Sequence, residues 1–102
     1  MLLVEHGSSH QIEIGKTAAA GGLLLGRYDR CDTNGLDVLH ADRVSRVHAL
    51  ILHIDGATYL IDTASTNGVW VGGKRVNCVQ LRDGLEVRLA GRGHVLRWHE
   101  LN

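Results

Sequence analysis

Short runs of Val, Leu and Ile recur along this chain at intervals of roughly eight to twelve residues, separated by Gly, Asp and Asn. No stretch keeps an apolar stripe at helical spacing, so the rhythm predicts an all-β sandwich or barrel. Strands are expected at Leu2–Glu5, Gln11–Ile14, Leu23–Leu25, Leu36–Leu39, His48–Ile54, Ala57–Ile61, Gly68–Val71, Lys74–Val76, Leu85–Leu89 and Val95–Trp98. Asp55-Gly56 joins two of them as the strongest hairpin signal in the chain, and Gly72-Gly73 supplies a second tight turn. In Leu85-Glu86-Val87-Arg88-Leu89 apolar and charged residues alternate, which places Leu85, Val87 and Leu89 on one face of a half-buried strand. Tyr28 to Gly35 is polar and reads as a loop. With many loops closing a sandwich, several gather at one end.

Composition narrows the function. The 102 residues fit one domain with a modest core, 44% hydrophobic and 22% charged. Eleven basic side chains balance eleven acidic ones, which argues against a general nucleic-acid binder. Cys31 and Cys78 are far apart and form no Cys-x-x-Cys pair, so neither a zinc site nor a redox motif is expected, and both read as reduced thiols. The short apolar start, Leu2 to Val4, turns polar at once; no signal peptide or membrane span is expected, and the chain reads as cytoplasmic, or as a cytoplasmic domain cut from something longer.

The stretch Val44 to Leu50 changes character midway. Its front, with Ser45 and Arg46 just after Arg43, is polar and cationic, and its back opens an apolar run into a strand. A loop feeding a strand is a favourable place for a binding site. Gly26-Arg27 precedes it and Ser65-Thr66-Asn67-Gly68 follows, so Arg27, Ser45 and Asn67 stand 18 and 22 positions apart, each at or near an expected strand end.

These segments, with Leu81-Arg82-Asp83-Gly84, arrive in an order that resembles the forkhead-associated (FHA) domain, over about residues 24–98 of a single domain spanning 1–102. The resemblance implies a two-sheet β-sandwich, here of about eleven short strands, whose loops at one end bind a phosphothreonine peptide. Recognition of phosphorylated motifs by arginine clusters is a known mode of this family. The residue types suit it. Arg27 offers a planar, permanently charged fork, Ser45 and Thr66 add hydroxyl donors, and Arg46 a second cation for a group carrying about −1.5 to −2 charge and three acceptor oxygens. By resemblance Asn67 holds the peptide main chain, since an amide both donates and accepts. His48 is then a buried brace for the loop carrying Ser45, and Gly26 and Gly68 are backbone support. The expected partner is a phosphothreonine protein written by a Ser/Thr kinase, with no nucleic acid, membrane or cofactor.

Plainer readings stand beside these. Arg27 could be a solvated arginine, and Thr66-Asn67-Gly68 a simple turn. Arg43 is either a solvated charge or a reader of an acidic side chain after the phosphothreonine. Lys74 and Arg75, after the Gly72-Gly73 turn, could flank the groove, though a solvated hairpin is the plainer reading. Ser45 and His48 do not make a catalytic pair, which needs an orienting third group and an oxyanion site. His48 and His53, five apart on an expected strand, face opposite sides, so no metal site is expected. Val71-Gly72-Gly73 replaces the Val-Asn-Gly common in the family; glycine keeps the turn but removes an amide from that loop. The competing function is a phosphate-independent scaffold that docks through a sheet face.

Overall fold

A computed structural model describes residues 2–5, 9–12, 14, 16–26, 44–45, 47–90 and 95–100. Apolar residues at alternate positions make strands because each strand can turn one face inward. The described strands are β1 (Leu2–Glu5), β2 (Ser9–Ile12), β3 (Leu23–Leu25), β4 (Ala49–Ile54), β5 (Ala57–Asp62), β6 (Val69–Val71), β7 (Lys74–Val76), β8 (Cys78–Gln80), β9 (Glu86–Leu89) and β10 (Val95–Trp98). They form two antiparallel sheets, one of six strands in the order β2-β1-β10-β9-β6-β7 and one of four in the order β3-β4-β5-β8.

Register shows why the sheets face each other. In the four-stranded sheet Leu23, Ile51, Leu60 and Val79 lie in one row across all four strands. In the other, Val76, Val69 and Leu89 form a row, and Val87 pairs with Leu96. All of these, with Leu25, Val44, Ala49, Leu81 and Trp98, belong to one apolar core between the sheets. Truncating a fully buried member such as Ile51 to alanine costs about 2–5 kcal/mol.

The Asp55-Gly56 turn is as the sequence predicts. Both residues have positive φ, 51° and 79°, the two-residue hairpin geometry whose twist matches the strands, and Ile54 pairs with Ala57 directly across it. Gly72 and Gly73 repeat the device at φ 57° and 80° between β6 and β7. The alternation of β9 also holds, with Val87 and Leu89 buried and Glu86 and Arg88 exposed.

Several details differ from the expectation. A one-turn helix, α1 (Lys16–Ala20), precedes β3; three alanines, the best helix formers, need no long periodic stripe to make one turn. It packs on β4 with Ala19 buried, and Gly22 passes so close that a Cβ there would lie 3.1 Å from Leu50 Cδ1. Strand β8 was not anticipated, because only Val79 of its three residues faces the core. His48 and Gly68 lie just outside their strands, which begin at Ala49 and Val69. The expected strand Leu36–Leu39 and loop Tyr28 to Gly35 lie outside the described residues. Among the described residues no helix is long and apolar enough to cross a membrane.

Candidate functional site

Where β4 begins and β5 ends, the ladder of backbone hydrogen bonds stops and side chains take over. His48, fully buried just before β4, donates its backbone N–H to the Leu25 carbonyl at 2.8 Å, and its own carbonyl accepts from Thr63 N–H at 3.2 Å. Its ring does more. The Ser45 backbone N–H donates to His48 Nδ1 at 2.9 Å, and Nε2 lies 2.6 Å from the Gly68 carbonyl. A backbone N–H can only donate and a carbonyl can only accept, so the ring is the neutral tautomer with its proton on Nε2. Burial lowers the His48 pKa, and the charge of Arg75 adds to this; the bond to Gly68 and the charge of Asp62 oppose it. One imidazole thereby ties the segment carrying Ser45 to the segment ending in Gly68.

A second link joins the same two segments at their tips. The Thr66 N–H donates to Ser45 Oγ at 3.1 Å. Because that bond uses an oxygen lone pair, the Ser45 hydroxyl proton stays available to an acceptor outside. Ser45 is half-buried, Thr66 exposed and Asn67 half-buried. Ser45, Thr66, Asn67, His48 and Gly68 are therefore brought together. Gly26 is buried at the end of β3 beside Leu25, whose carbonyl holds His48. Arg27, Arg43 and Arg46 lie outside the described residues.

The 62–68 segment is held by a set of bonds in which Asp62, Thr63 and Trp70 take part without any role expected from the sequence, and Ser65 and Arg75 take part as braces. The Ser65 N–H donates to Asp62 Oδ1 at 2.9 Å, and Ser65 Oγ accepts from the Gly68 N–H at 3.0 Å. The Ser65 carbonyl accepts from an Arg75 guanidinium nitrogen at 3.0 Å. All three polar groups of Ser65 are thus engaged, as burial requires. Thr63 donates its hydroxyl to the Val47 carbonyl at 3.1 Å, and Trp70 its indole N–H to the Asn67 carbonyl at 2.8 Å. Gly68 has φ +85°, and a Cβ there would come within 2.6 Å of Arg75 Nε, so the arginine lies directly over the glycine backbone. Arg75 is thus a brace as well as an exposed cation on the β6–β7 hairpin. The only sequence signal was the three-residue spacing of Asp62, Ser65 and Gly68, typical of side chains that bond nearby backbone N–H groups.

His48 and His53 do not share a strand in the way expected. His48 stands before β4, while His53, inside it, has its Nδ1 2.8 Å from the Thr58 hydroxyl across the hairpin.

The fold and site define a small β-sandwich module with a loop-borne polar site. The FHA domain family model matches residues 23–90, and the chain belongs to the FHA domain family. It resembles FHA-1 of Rv1747 from Mycobacterium tuberculosis at 27% identity and TM-score 0.70, covering 93% of this chain and 90% of that one. A structure concerned with phosphothreonine-dependent FHA domain interactions shares 28% identity at TM-score 0.69 and covers 98% of both chains. EmbR of Mycobacterium tuberculosis, in complex with a low-affinity phosphopeptide, is 25% identical at TM-score 0.72, covering 96% of this chain and 24% of EmbR. No curated protein matches the chain.

Proposed function

We infer that this domain is a non-catalytic module that binds phosphothreonine peptides and so makes a protein–protein interaction depend on a Ser/Thr kinase. The observation that supports it most is the Ser45 Oγ to Thr66 N–H bond, which joins two of the three motifs at one point and leaves the Ser45 hydroxyl proton free for a phosphate. The reading takes about eleven strands, with the loops carrying Arg27, Ser45, Arg46, Thr66 and Asn67 at one end. Arg27 and Arg46 supply charge, Ser45 and Thr66 hydroxyls, Asn67 the peptide backbone contact, and Arg43 reads an acidic side chain further along. Bonds to a charged group contribute about 1.5–3 kcal/mol each; three or four, offset by peptide ordering, give a micromolar complex near about −8 kcal/mol. The site belongs to a single domain over 1–102. A cytoplasmic setting fits the exposed free thiol of Cys78.

Titrating a phosphothreonine peptide against its unphosphorylated twin tests the reading; equal affinity would refute it. Arg27→Ala is expected to abolish measurable binding while the fold, followed by circular dichroism, is retained.

A second reading, a phosphate-independent scaffold, draws on the outer face of the four-stranded sheet. There Leu52 pairs with Tyr59 and Ile54 with Ala57, Ile54 is 46% exposed, and Leu50 is partly covered by the backbone at Gly22. Partner binding that survives Arg27→Ala would favour it.

A further inference from the structure

The outward face of the six-stranded sheet carries a row that the phosphate site does not use. Trp70 on β6 pairs with Arg75 on β7 and with Arg88 on β9. Their neighbours Val69, Val76 and Leu89 belong to the core, so Arg75, Trp70 and Arg88 point away from it. Directly paired side chains on adjacent strands lie within about 5 Å of one another. The result is an outward Arg–Trp–Arg row.

This row begins at the candidate site. Arg75 bonds the Ser65 carbonyl and Trp70 the Asn67 carbonyl, on either side of Thr66. Arg88 is the far end and is exposed. Glu86, on the same face of β9 as Arg88, is paired with Arg97 and also feels the charge of Arg88, both of which lower its pKa; among the described residues no carboxylate lies within ion-pair distance of Arg75 or Arg88 themselves.

We propose that the Arg75–Trp70–Arg88 row is a second docking surface, for an acidic segment of the same partner chain that presents the phosphothreonine. The charge sign selects the occupant, and the aromatic between two cations suits an apolar side chain between two carboxylates. Two strand spacings of about 4.8 Å separate Arg75 from Arg88. A peptide in the polyproline II conformation, with three residues per turn and a rise of about 3.1 Å each, covers that distance in about three residues and keeps positions i and i+3 on one face, so the matching pattern is two acidic residues three positions apart. The proposal rests on the phosphothreonine reading and adds to it a determinant outside the loops. The balanced charge of the whole chain disfavours the other polyanion, a nucleic acid.

The test compares a short phosphothreonine peptide with versions extended, on the N-terminal or the C-terminal side, by two glutamates three positions apart or by two glutamines. At low salt one glutamate version is expected to bind about three- to tenfold more tightly than its glutamine control, as two exposed ion pairs allow. Arg88→Glu should erase that gain, Arg88→Lys should retain most of it, and both should bind the short peptide like wild type. High salt should shrink the gain, since exposed charges are screened beyond about 8 Å at physiological ionic strength. Failure of both glutamate extensions to tighten binding, or an undiminished gain in Arg88→Glu, would overturn the proposal while the short peptide still showed phosphate-dependent binding. Loss of that dependence itself would remove the underlying reading and this one with it. An oligonucleotide that bound through Arg88, with no peptide gain, would assign the row to nucleic acid instead.

Discussion

The two ends of the β4–β5 hairpin are built on different principles. At one end Asp55 and Gly56 close the turn with two positive φ angles, and a Cβ added to Gly56 would meet nothing within 4 Å. Backbone conformation sets that turn, with one side-chain bond, between His53 and Thr58, beside it. At the other, the strands part into segments that bond each other through His48, Ser45 and Thr63, while Asp62, Ser65 and Arg75 brace the 62–68 segment itself. A tight turn fixes register cheaply but presents little chemistry. A loop end that must hold a hydroxyl, an amide and a cation in place needs buried side chains to substitute for the missing ladder.

The sharpest way to break this contrast is His48→Ala. It leaves a cavity, strips the Ser45 N–H of its partner and removes one donor from the Gly68 carbonyl. A loss of about 3 kcal/mol in denaturant unfolding is expected, together with weaker phosphopeptide binding. Wild-type stability in that variant would show that the ring is not a brace. The same residue predicts a pH dependence. Its folded pKa is below the unfolded value because burial disfavours the cation, so the unfolded state binds more protons over that interval. Stability should be full above about 6.5 and decline as pH falls from there towards the lowered folded value, where Nδ1–H would oppose the Ser45 N–H. Melting the unliganded protein between pH 7.5 and 5, with and without His48→Ala, isolates this from the phosphate's own titration near about 6.

Gly68→Ala comes next. A positive φ costs about 1–2 kcal/mol for a residue with a Cβ, and the clash with Arg75 adds to it. Arg75→Ala in the same chain should relieve the steric part, so a double-mutant cycle is expected to show coupling. Strictly additive effects would mean that Arg75 does not lie over the glycine in solution. Gly56→Ala should have the smallest effect, about 1 kcal/mol from φ alone, with peptide affinity unchanged. A loss of affinity there would mean that the two ends are mechanically linked.

The difference between the ends also explains what could be read from sequence. Asp55-Gly56 was legible because its chemistry is local: two residues suited to positive φ between apolar runs. The alternation in β9 was legible for the same reason, and the motif residues Ser45, Thr66 and Asn67 through resemblance. Arg75 looked like a solvated hairpin residue, because its partner Ser65 is ten positions away and meets it only once β6 and β7 are paired. Ser65 was seen only as part of a motif, since nothing local says that its three polar groups will all be buried and satisfied. Strand β8 and helix α1 were missed because three and five residues are too few to display a period.

The Trp70 indole bonded to the Asn67 carbonyl has a practical consequence. The sequence contains only two tryptophans, and Trp98 is buried, its indole N–H given to Glu100. Trp70 alone is half-exposed at the rim of the candidate site. The protein therefore carries an intrinsic optical probe at the place where a ligand would arrive, and Trp98→Phe would leave an emission signal that reports on Asn67 without any attached dye.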